Sequence, residues 1–200
     1  MISTDGNIFK ESGAVRARMI EYGKLYDELH IIIFSSNSKQ KTQISDNVFV
    51  YSTNSTSKLF YVCDAVKIGK EILTSDWSIT AQDPFETGLV GRWLAKKFKL
   101  PLELQIHTDI GSPYFTSLKL GWRLAFLNFV RFWLAKFLLP KANKIRVVSF
   151  RIKNFLCHYF KIVEDKIEIR PIKIAEEKIR AAVVSPENDL HKQYPQFDFI

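Results

Sequence analysis

Short β-branched runs and longer helical runs alternate along almost all of this 200-residue chain, and that alternation restricts the fold more than any other feature. The stretches 28–34, 47–51, 77–81, 102–107, 144–148 and 166–169 are near-continuous in apolar and β-branched residues. Such runs suit strands covered on both faces, as in a parallel sheet. Between them, 14–25, 57–73, 84–98, 115–139 and 150–160 carry helical spacing. Strict alternation predicts right-handed βαβ crossovers. The expected fold is therefore α/β: a doubly wound, mainly parallel Rossmann-like sheet with helices on both faces.

The two ends bound the organisation. Met1-Ile2-Ser3-Thr4-Asp5 reads as the close of a first strand, about three residues short of a full one. Residues 1–173 are expected to form one Rossmann-like domain. The polar stretch 174–195, with Pro186, reads as a linker with a short helix, and 196–200 as the cut-off start of a second domain.

Composition narrows the partners. Apolar residues make up 46% and charged residues 25%, enough for an ordinary core, while sixteen Phe and four Trp leave aromatic material for a binding surface. The net charge of +8 points to an anionic partner: a nucleotide diphosphate, a phospholipid surface or nucleic acid. Nucleic acid is not expected, because the charges are spread along the chain and no reader motif accompanies them. Cys63 and Cys157 have neither disulfide-framework nor zinc-ligand spacing, and are expected to be reduced and buried in helices. With no signal peptide and no charge-free spanning run, the expected location is cytoplasmic.

In open α/β sheets ligands sit beyond the carboxyl ends of the strands, so the loops there carry the candidates. After the first strand, Glu11-Ser12-Gly13-Ala14 opens a helix whose free amides suit a phosphate, with Arg16 and Arg18 near. The plain reading is a helix start capped by Ser12. After the fourth predicted strand, Asp83, Pro84 and Glu86 fit the N-cap, N1 and N3 positions of a capping box. Gly88 and Gly91 would let that helix pack closely on the sheet. After the fifth comes Gln105-Ile106-His107-Thr108-Asp109-Ile110-Gly111-Ser112-Pro113, where His107 can orient a sugar hydroxyl or donate to developing charge, and Asp109 can accept. The alternative is a histidine satisfied by backbone and an aspartate serving the turn. The helical stretch 115–139 is apolar on nearly every side, interrupted by Lys119, Arg123, Arg131 and Lys136. Core packing is the expectation for it, and docking to an anionic membrane surface is the alternative. Ser149 is expected to cap the helix carrying Arg151 and Lys153.

The order of these segments resembles the N-terminal domain of family 4 glycosyltransferases, of the GT-B fold. The residues that carry the resemblance are Ser12-Gly13, the run Ile79-Thr80-Ala81-Gln82-Asp83-Pro84-Phe85-Glu86-Thr87-Gly88, Ile106-His107-Thr108-Asp109, and Leu139-Pro140 through Val148-Ser149. The resemblance covers nearly the whole chain. Its loose motifs gain specificity from their order, although Ser12 stands where the family often has a first glycine. The resemblance implies retaining transfer from a nucleotide-sugar donor to a glycan or lipid-linked acceptor, with no cofactor and no required metal. It also implies a missing C-terminal, donor-binding domain or partner chain, without which the chain would be inactive. By the same resemblance His107 would contact the donor sugar as the catalytic residue. Gly13 would approach the diphosphate, with Ser12 and Arg16 beside it, while Asp109 and Asp83 would shape the pocket. Two other readings are a non-catalytic acceptor-binding or membrane-recruiting subunit, peripheral to the inner face of the membrane, and a sugar-nucleotide epimerase.

Overall fold

The computed structural model describes residues 1–36 and 41–171, so the expected linker at 174–195 and second-domain start at 196–200 lie outside the described residues. The strands are β1 (Ile2–Ser3), β2 (Leu29–Ile33), β3 (Lys41–Ser45), β4 (Val48–Ser52), β5 (Ile79–Ala81), β6 (Leu102–Ile106), β7 (Lys144–Val147) and β8 (Ile167–Ile169). They form one eight-stranded sheet in the order β3-β4-β2-β1-β5-β6-β7-β8. Every pairing is parallel except β3 with β4. The connecting helices are α1 (Ala14–Gly23), α2 (Tyr61–Ile72), α3 (Glu86–Phe98), α4 (Trp122–Leu138) and α5 (Phe150–Tyr159). The fold is thus α/β with a mostly parallel, Rossmann-like sheet.

Strand order reverses at β1. The chain runs from β1 outward to β2 and β4, then returns to lay β5 on the other side of β1, with Ile2 opposite both Ile32 and Ala81. Such a reversal leaves neighbouring loops pointing apart at the strands' carboxyl ends, and ligands of open sheets bind there.

Side chains alternate between faces along a strand, and the core follows that rule. In β2, Ile31 and Ile33 join Ile8, Met19 of α1, Val48 and Val50 in one cluster. The intervening Ile32, with Phe34, joins a larger cluster built from α2, α3, α4 and α5 on β1 and β5–β8. Gly88 and Gly91 bring α3 close to the sheet as expected. A Cβ on Gly88 would stand 2.8 Å from the Asp83 carbonyl oxygen, and one on Gly91 would stand 3.0 Å from Leu102 Cδ1.

Four local expectations need correction. β3 was not expected, because four of its five residues are polar; backbone pairing to β4 across a two-residue turn holds it, with Ile44 alone packing on the smaller core cluster. The helix expected over 115–139 begins only at Trp122, after a 3₁₀ turn at Leu118–Leu120 and Gly121, whose φ of +90° an L side chain rarely adopts. The helix expected from Pro84 begins at Glu86. Asp83 accepts from the Phe85 amide (2.8 Å), and Glu86 pairs with Arg131 of α4 (3.0 Å) instead of closing a capping box. Finally, Cys63 is exposed and Cys157 only half-buried, so neither is a core thiol.

Candidate functional site: the carboxyl edge of β1, β5 and β6

The three strands β1, β5 and β6 are adjacent and parallel, so the loops after them leave from one edge of the sheet. Strands spaced about 4.8 Å apart place the ends of β1 and β6 roughly 10 Å from each other. The β1 loop leads to Gly13 and α1, the β5 loop holds Asp83, and His107 directly follows β6.

Gly13 is the N-cap residue of α1, and no side chain caps that helix, so Ser12 does not fill the capping role expected of it. The Gly13 amide donates to the Lys10 carbonyl (3.1 Å), which folds the turn at Gly6–Phe9 back against it. A Cβ here would stand 3.1 Å from the carbonyl oxygens of both Asn7 and Lys10, so close backbone packing already explains the glycine. Arg16 is half-buried on the first turn and makes no ion pair among the described residues.

His107 sits at the head of a polar network on the sheet face opposite the main core. Thr80, Glu103, Gln105 and Arg146 alternate with Ile79, Ala81, Leu102, Leu104, Ile106, Ile145 and Val147, which all turn into that core. Arg146 Nη2 donates to Gln105 Oε1 (3.2 Å). Gln105 Nε2 donates to Thr80 Oγ1 (3.0 Å), and Thr80 Oγ1 donates to Glu103 Oε1 (3.1 Å). The arginine has only donors, and this fixes which end of the Gln105 amide is oxygen. His107 Nε2 lies 3.2 Å from that same oxygen, so Nε2 carries the proton and Nδ1 is left as an acceptor. No described residue hydrogen-bonds Nδ1. Gln105 is buried, which locks the network; His107 itself is solvent-exposed on its outer side.

Partial burial of the ring lowers the pKa of His107 below the ordinary histidine value of 6.5, and the positive charges of Arg146 and Arg18 lower it further. The ring is therefore held neutral at pH 7. At the far side of the same face Glu168 is held down to about 2 by Arg170 and Lys144, which ion-pair with its two oxygens.

Asp83 and Asp109 are committed elsewhere. Burial raises the pKa of Asp83 despite the Phe85 amide and Thr87 hydrogen bonds that oppose the rise. Asp109 accepts from the Gly111 amide (3.1 Å) and pairs with Arg151 Nε of α5 (2.9 Å). It lines a separate open cavity of about 600 Å³ with Phe155, His158 and Glu164, and neither His107 nor Gly13 forms a wall of it. Ser149 caps α5 through the Ile152 amide as expected.

Thr80, Gln105 and Arg146 were not expected as parts of a site. Their signal was present as a period of two within runs that look continuously apolar. Among the described residues no three His, Cys, Asp or Glu side chains gather as a metal site, and no helix is long and apolar enough to cross a membrane. No protein-family model matches the chain, and no curated protein matches it significantly.

Proposed function

We propose that this chain is the acceptor-side half of a two-domain glycosyltransferase of the GT-B type, built as a doubly wound Rossmann-like domain that works with a donor-binding domain. The observation that carries the reading is the neutral His107, fixed in one tautomer at a strand's carboxyl end beside the cationic start of α1. Its free Nδ1 is suited to accept from a sugar hydroxyl and so orient the donor sugar, rather than to serve as a general acid. A diphosphate near Gly13 would meet the amide end of α1 and the unpaired Arg16. Charge that develops on the departing diphosphate would be offset by these fixed groups, the usual source of rate enhancement in such transfers. Asp83 and Asp109 then act as scaffold for the two loops.

The test is transfer from nucleotide-sugars, with a donor-binding domain supplied. His107→Ala should keep the wild-type circular dichroism spectrum and lose at least ~100-fold in turnover, the scale of one positioned polar group. Undiminished turnover in that variant would remove the role.

A second reading, a non-catalytic membrane-recruiting subunit of the same fold, is favoured by the exposed aromatic face of α4. It predicts no dependence of activity on His107 in the assembled complex.

A further inference from the structure

The stretch expected to be core-packed helix is not buried on one side. Trp122, Phe126, Phe129, Val130, Trp133 and Phe137 are each between 39% and 69% exposed. At 3.6 residues per turn they form one stripe covering roughly 100° of α4. The helix rests on the molecule mainly through its second half, where Ala135 and Leu138 are buried, Asn128 donates to the Phe115 carbonyl (2.7 Å) and Arg131 holds Glu86, while of the first turns only Ala125 is buried and Leu124 and Leu127 are exposed as well. A contiguous apolar stripe of this size on a folded surface marks an interaction site.

Charge identifies the occupant. Between Ile110 and Val163 the chain holds ten Lys and Arg and no Asp or Glu, so this span carries the whole positive excess of the protein. Arg123 and Lys136 flank the stripe and lie over its Trp122 and Trp133 rings, and Lys141 lies over Phe137 at its end. None of the three, nor Lys119 in the preceding turn, pairs with an acid among the described residues. Aromatic rings edged by unpaired cations match the boundary between acyl chains and anionic headgroups. A protein partner seated on the stripe would have to supply a carboxylate for each cation as well as an apolar groove.

We infer that α4 docks the protein on an anionic lipid bilayer, its aromatic stripe in the acyl boundary and Lys119, Arg123, Lys136 and Lys141 among the headgroups. The inference goes beyond the transferase reading and does not depend on it. α4 starts from the loop that leaves the carboxyl end of β6. Its exposed Trp122 end, with Tyr114 and Leu118, therefore lies toward the edge that carries His107, and docking would bring that edge near the bilayer.

Co-sedimentation of the full chain with phosphatidylcholine vesicles, with and without phosphatidylglycerol, tests this. The wild-type chain should pellet only with the anionic vesicles and be released by salt. The double variant Arg123→Gln/Lys136→Gln should partition roughly thirtyfold less, about fivefold for each cation removed near an anionic surface. Phe126→Ser/Trp133→Ser should also lose binding while keeping the wild-type unfolding midpoint, since both positions are exposed. His107→Ala should bind vesicles like wild type, which separates a failure here from a failure of the transferase reading. The inference is overturned if the wild-type chain stays in solution with anionic vesicles at low salt, or if the stripe variants bind undiminished. It is likewise overturned if the stripe variants instead convert a wild-type dimer to monomer.

Discussion

Because the side-chain oxygen of Gln105 already accepts from Arg146, His107 reaches it only as a donor, and that single geometric fact sets what the imidazole can offer a ligand. It also yields a pH prediction. The unfolded chain protonates this histidine near 6.5, whereas the folded protein resists until lower pH. Between the two values the unfolded state binds more protons, so acidification through that window favours unfolding; above it the contribution is flat. An imidazole NMR titration should show His107 below the ordinary value, and Arg18→Ala should move it upward. Asp83 allows a second test at this scale. The residue is half-buried and its carboxyl serves the Phe85 amide, so Asp83→Asn keeps the acceptor and removes a charge that partial burial disfavours. Stability at neutral pH should hold or rise for Asn and fall by about 1 kcal/mol for Ala, read from urea midpoints. His107 was legible in the sequence as a residue at a strand end. Its tautomer was not, since that depends on Arg146, 39 residues on and one strand over.

At the scale of elements, the five α-helices could be located from helical spacing and seven of the strands from short apolar, β-branched runs, because the core rewards the same residues that set the pattern. The period failed where pairing or backbone geometry decides. β3 has only Ile44 to betray it, and the start of α4 is set by Gly121, not by a change in hydrophobicity. The face that α4 buries was unreadable for a different reason: an all-apolar helix looks the same whether its second side meets protein or lipid. The seating of α3, in contrast, was written in its glycines. Gly88→Ala would drive a Cβ to 2.8 Å from the Asp83 carbonyl, which is backbone and cannot turn aside. It should cost about 1–3 kcal/mol in a urea melt and loosen the β5 loop with it.

At the scale of the whole molecule, two features share one side of the fold's logic. The parallel strands β1, β5 and β6 send their loops from one edge, and the positive excess of the protein is gathered in the stretch that follows β6. An anionic donor and an anionic surface are the partners such a distribution favours. On the proposed reading, Gly13, Arg16 and His107 serve a single ligand across the ends of β1 and β6. Amide and imidazole chemical shifts followed during titration with uridine and guanosine diphosphates decide whether they do. One of these diphosphates should shift the amides of Gly13 to Arg18 and the ring of His107 together, with one shared dissociation constant. Shifts confined to the α5 cavity around Arg151 and His158, or to either loop without the other, would rule out a shared ligand at these residues.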